Sequence, residues 1–147
     1  MSFASTAAIL EALQTRIEAL TPDTQVNEDD TFRVLVGESG EMQRGSRAVF
    51  ITCTPARRKL SGGQTCHDWQ TTVEIEIQYR NIPAEPGQRG VYGRAVADAE
   101  AILVDLYTWS TTTSGILSMT PDLGDLSDDG QGVLVSIRSI ELMYRRT

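Results

Sequence analysis

The chain has 147 residues, 40% hydrophobic and 22% charged, with 13 Lys and Arg against 20 Asp and Glu for a formal net charge of -7. That length suits one domain, residues 1–147, with a core that needs no staples. The composition excludes a disordered chain, and the acidic balance argues against wrapping nucleic acid, which requires clustered Lys and Arg. No run approaches the roughly 20 apolar residues of a membrane span. The start lacks a basic and apolar leader, so no secretory signal is expected. Cys53 and Cys66 are too few for a disulfide framework, which favours a reducing compartment.

Residues 5–20 have the spacing of an amphipathic helix, with Leu10, Leu13, Ile17 and Leu20 on one side. Ser5 or Thr6 can cap it, and Thr21-Pro22 stops it. Phe32, Val34 and Val36 mark a short strand ending at Gly37. Residues 48–54 make a second strand, which Pro55 ends or places at a sheet edge.

Residues 71–80 are the clearest strand: Val73, Ile75, Ile77 and Tyr79 face one way, Thr72, Glu74, Glu76 and Gln78 the other. One dry face and one wet face favour antiparallel pairing. Residues 89–108 form the long helix, striped by Val91, Ala95, Ala99, Ile102 and Leu106. Tyr92, Val96, Leu103 and Tyr107 widen the stripe, and Asp98, Glu100 and Asp105 are expected outside. Residues 116–119 read as a short strand and 133–144 as the last one. In that last strand Val133, Val135 and Ile137 differ in parity from Ile140, Leu142 and Tyr144. The switch predicts a β-bulge or strong twist near Arg138-Ser139. Helix, strands, long helix and strands do not alternate regularly. The expected class is therefore α+β, a mainly antiparallel sheet packed by an N-terminal helix and one long helix.

Two polar segments of opposite charge stand out as long hairpin arms. Residues 55–68 carry Arg57, Arg58 and Lys59, the last being the sole lysine. Residues 120–132 carry Asp122, Asp125, Asp128 and Asp129 without a basic residue. Two complementary patches at different places suit head-to-tail contact between copies.

Catalytic residue types cluster only at Cys53, Cys66, His67 and Asp68. A Cys–His–Asp relay needs mutual hydrogen bonding on rigid support, whereas His67 and Asp68 are consecutive at the end of a flexible segment. The same residues lack the paired spacing of a zinc site. Ser61-Gly62-Gly63 lacks the P-loop pattern, and residues 122–130 lack the ligand spacing of a calcium loop. Neither a catalytic centre, a metal nor another cofactor is expected. A small Cys/His enzyme is the distant alternative. Three adjacent basic residues make only a weak DNA-binding signal in an acidic chain.

The element order resembles the tail terminator, or tail completion, proteins of long-tailed bacteriophages, the lambda-type minor tail protein U family, and their relatives in gene transfer agents. The similarity covers nearly the whole chain. It rests on the helix at 7–20, the hairpin at 48–80 with its protruding arm, the helix at 89–108 and the closing strands at 116–119 and 133–144. The segment Thr71-Thr72-Val73-Glu74-Ile75-Glu76-Ile77-Gln78-Tyr79 is its most family-like piece. The resemblance implies a virion structural protein of the tail or neck, assembled in the host bacterial cytoplasm. It would cap the tail tube as a hexameric ring, end tube polymerisation and form the head–tail joining surface. Implied partners are its own copies, the tail tube protein and a head-completion or connector protein. DNA would pass through the lumen without specific binding, and no membrane is involved. A head-closure, connector or other neck protein is the alternative. Arg57, Arg58 and Lys59 are then candidates to reach a neighbour or the tube, and Asp122, Asp125, Asp128 and Asp129 to form that neighbour surface or line the lumen.

Overall fold

The computed structural model describes residues 5–22, 32–37, 48–58, 68–80, 91–128 and 133–146. Two helices and six strands follow in the order α1 (Thr6–Glu18), β1 (Arg33–Val36), β2 (Ala48–Cys53), β3 (Arg57–Arg58), β4 (Asp68–Arg80), α2 (Val91–Thr112), β5 (Ile116–Asp128) and β6 (Val133–Arg145). The strands form one mixed, mostly antiparallel sheet ordered β1-β2-β4-β6-β5, with β3 also paired to β4. Only β1 and β2 run parallel among these pairs. The expected α+β architecture is the observed one.

Both helices pack on one face of the sheet. The Ser5 hydroxyl caps α1 by accepting the Ala8 amide at 3.2 Å. The helix then buries Ile9, Leu13 and Ile17, spaced four apart, while Leu10 only flanks the core. On the sheet, Val49 and Ile51 of β2, Val73, Ile75, Ile77 and Tyr79 of β4, and Ile140, Leu142 and Tyr144 of β6 complete the core. Each such aliphatic side chain contributes about 1.5–3 kcal/mol by leaving water. Ala95 and Ala99 bring α2 close to the strands, and Ile102, Leu106 and Trp109 fill the space beyond them. Trp109 and the back-bonded hydroxyls of Thr111 and Thr112 carry α2 a turn past residue 108. Gly115, at φ 101°, then reverses the chain into β5.

Four readings of the sequence are corrected by the structure. Asp98 is not on the outer face of α2: it is 1% exposed and accepts the Tyr79 hydroxyl at 2.8 Å. Tyr92 and Tyr107, expected to widen the buried stripe, are instead 67% and 60% exposed.

The parity switch in β6 is also absent. Every β6 residue from Val133 to Arg145 pairs with β4 in one unbroken register. Leu134, Ser136, Arg138, Ile140, Leu142 and Tyr144 therefore share the helix-side face, and Val135 and Ile137 lie half-buried on the other. Irregularity does occur opposite Ser139, but β5 carries it: two residues, Asp122 and Leu123, stand against one.

Finally, β5 is not a short strand followed by a free acidic loop. Pairing with β6 continues to Asp128. Proline has no N–H to donate and is tolerated on edge strands and at bulges, and Pro121 lies on the edge strand β5 directly before its bulge. Leu126, opposite Ser136, packs against the core and anchors the far end of the strand.

Candidate interaction surfaces

The basic segment begins as a continuation of β2. Thr54 bridges the gap at Pro55: its amide donates to the Thr72 carbonyl at 2.9 Å, and its hydroxyl accepts the Thr72 amide at 3.0 Å. Arg57 and Arg58 then pair with Gln70 and Trp69. Trp69 in turn pairs with Tyr144, so the end of β6 belongs to the same locality. There Arg145 faces Asp68 at 3.5 Å, and the Arg146 guanidinium lies 4.7 Å from the centre of the Trp69 ring. Arg145 and Arg146 thus join Arg57 and Arg58 at one end of the sheet. They were missed as candidates because their partnership depends on strand register rather than sequence proximity.

The acidic segment runs from mid-sheet to the opposite end. Asp125 pairs with Ile137 and Asp128 with Leu134, the latter also opposite Tyr79 of β4. Ten residues of β4 separate Trp69 from Tyr79, roughly 33 Å at about 3.3 Å per residue. Asp125, level with Glu76, is seven residues or about 23 Å along the strands from Trp69, so the backbones of the two segments occupy different parts of the sheet. Asp125 is exposed and accepts the Leu126 amide at 2.9 Å. Asp122 occupies the bulge. Lys59 and Asp129 lie outside the described residues.

The sheet has a second polar surface, on the face away from the helices. Glu74, Glu76 and Glu141 project there with Asp125, since they share parity across β4, β6 and β5. Glu76, Ile137 and Asp125 form a continuous row. Arg33 marks the β1 edge of this face and Arg145 its basic end.

On the helix side, Gly124 makes room for Arg138. A Cβ at Gly124 would stand 2.5 Å from both Cδ and Nη1 of Arg138. The Arg138 Nε is buried without a hydrogen-bond acceptor. With Ile75, Ile77, Ala99, Ile102 and Leu103, Arg138 lines a small, partly open cavity beside α2.

Of the residues considered for catalysis, Cys53 is half-buried on β2 opposite Val73, while Cys66 and His67 lie outside the described residues. Asp68 is drawn to Arg145. Among the described residues, no group of three His, Cys, Asp or Glu side chains could hold a metal ion, and no helix is long and apolar enough to cross a membrane.

No protein-family model matches the chain, and no curated protein matches it as a relative.

Proposed function

We propose that this protein is a structural component of a tailed phage or gene transfer agent, capping the tail tube as a ring of copies. One observation carries the reading. A single sheet holds the basic segment at its Trp69 end and an acidic segment that runs from mid-sheet, where Asp125 is level with Glu76, to Asp128, level with Tyr79 and roughly 33 Å along the strands from Trp69, and charged segments so separated suit partners on other molecules. Such contact is heterologous, and heterologous contacts close into rings when the rotation permits. The order of α1, the β2–β4 hairpin, α2 and the β5–β6 hairpin supports the resemblance to tail terminators.

In this reading Arg57, Arg58 and Lys59 engage acidic residues of a neighbouring copy or of the tube protein. Asp122, Asp125, Asp128 and Asp129 form a neighbour surface or line the channel. Like-charge repulsion there lets DNA pass without sticking. The opposite side of the ring receives the head-completion protein. The site of action is the virion neck, with assembly in the bacterial cytoplasm.

Electron microscopy of the protein mixed with tail tubes of the particle that encodes it tests this. Rings at tube ends are the expected result. Binding to filled heads without tube binding favours a head-closure protein, and binding to neither rejects both readings.

A further inference from the structure

We propose that the Trp69 end of the sheet is a contact surface for the phosphate backbone of a nucleic acid, made without regard to base sequence. Along the chain the arginines there form two separate and weak signals, residues 57–58 and 145–146. The strand register merges them. Arg58 pairs with Trp69 and Trp69 with Tyr144, so β3, β4 and β6 bring both arginine pairs to one end. Two strand spacings, about 10 Å, separate β3 from β6 there. Phosphates of one B-DNA strand rise about 3.4 Å each along the axis, so that width spans about three of them. Arginine grips phosphate through an in-plane fork of N–H groups and keeps its charge at any physiological pH. The Arg146 guanidinium lies over the Trp69 ring, 4.7 Å from its centre, which holds this long side chain at the sheet end.

The first turn of α1 belongs to the same end. The Thr6 and Tyr144 hydroxyls are hydrogen-bonded, and Tyr144 is the register partner of Trp69. That turn holds no acidic residue, so nothing within it neutralises the positive end of the helix dipole, which favours anions. Asp68, 3.5 Å from Arg145, offsets one of the four arginine charges, and Glu141 holds the Gln70 amide further in along the strands. The acidic segment does not cancel the rest. Asp125 and Asp128 stand about 23 and 33 Å along the strands from Trp69, against a screening length of about 8 Å at 0.15 M salt. The overall charge of -7 confines the contact to this end and opposes wrapping. An acidic protein is the rival occupant. Protein interfaces form around cores poor in charge, whereas this end concentrates arginine, and a phosphate backbone demands little but charge.

Fluorescence anisotropy of labelled mixed-sequence oligonucleotides, single-stranded and duplex, titrated with the full chain tests the proposal. Four phosphate contacts imply an affinity that falls about 50- to 150-fold between about 0.05 and 0.2 M salt. Arg145→Gln/Arg146→Gln should weaken binding and reduce that fall to about 7- to 12-fold, the mark of two contacts. Arg57→Gln/Arg58→Gln should do the same from another strand, and Arg145→Lys/Arg146→Lys, which keeps the charge, should keep the salt dependence. Three results overturn the proposal. One is no binding at about 0.05 M salt with protein at about 1 mM, ten times the weakest ordinary non-specific dissociation constant. Another is a salt dependence that both Gln variants leave unchanged. The third is a polyglutamate peptide that binds where neither oligonucleotide does, which gives this end to an acidic protein. Circular dichroism checks folding; if Arg145→Gln/Arg146→Gln fails to fold, Arg57→Gln/Arg58→Gln, on a separate short strand, carries the test. The inference stands apart from the phage reading: phosphate binding by a protein that ignores tube ends keeps it and rejects the other, and capping without phosphate binding does the reverse.

Discussion

Tyr79 of β4 donates its hydroxyl to the carboxylate of Asp98 on α2 across 2.8 Å, with both side chains at or below 2% exposure. This bond ties the long helix to the centre of the sheet from within. Tyr79→Phe preserves the ring packing and removes one donor from a buried carboxylate. A loss of about 1–3 kcal/mol is expected. Urea unfolding should show a lower midpoint with an unchanged slope, the sign of altered stability without altered compactness.

Gly124 and Arg138 should be energetically coupled. Gly124→Ala puts a methyl group 2.5 Å from two Arg138 atoms, so the guanidinium must move or β5 must yield. Overpacking of this kind costs about 1–3 kcal/mol. In the background of Arg138→Ala the obstacle is gone, and the same glycine substitution should cost much less. A double-mutant cycle in thermal or urea unfolding measures the difference, expected at about 0.5–3 kcal/mol.

How far the fold could be read depended on whether each local pattern agreed with its tertiary setting. The alternation of Val73, Ile75, Ile77 and Tyr79 was legible because every one of those side chains is buried on one face. β6 misled because Ser136 and Arg138 occupy the core face while apolar Val135 and Ile137 occupy the other. Residue type and burial disagree there, and only the β4 register resolves them. Asp98 looked like a surface residue because its partner Tyr79 lies on a different element. Pro121 and the nearby aspartates are turn signals by themselves, but pairing with β6 overrides them. The charged segments themselves were visible in the sequence. Their separation along the sheet was not, since it follows from the antiparallel registers.

Arg16 of α1 holds Asp105 of α2 with two bonds, Nε to Oδ2 at 2.7 Å and Nη2 to Oδ1 at 3.1 Å. The hydrogen bond and the charge of Asp105 raise the Arg16 pKa above its ordinary value. A raised basic group loses its contribution only as pH climbs through the folded value, so Arg16 adds no pH dependence near neutrality. Its side chain is 39% exposed, and salt screens such a pair. Arg16→Gln should therefore lower the melting temperature less than Ile17→Ala, which empties a fully buried site. The Arg16 effect should shrink further at 1 M salt, where the screening length is about 3 Å. Differential scanning at two salt concentrations checks both statements. An Arg16 effect as large as that of Ile17, or one insensitive to salt, would contradict them.

The basic end of the sheet gives the most direct test of assembly through charge. Arg57 and Arg58 sit on β3 beside β4, close to the strand pair that brings Arg145 and Arg146 to the same end. Arg57→Glu/Arg58→Glu reverses two charges on a short strand whose pairing uses backbone groups, so the fold should persist. Binding to tube ends, counted in electron micrographs, should fall, and more steeply at low salt than at high salt. That direction follows from screening: at 0.01 M the Debye length is about 30 Å and at 1 M about 3 Å, so repulsion from the reversed charges reaches furthest in dilute buffer. An apolar contact would respond in the opposite sense, since salts excluded from apolar surface strengthen burial. Normal capping by the reversed protein at low salt would remove the basic end from the interface.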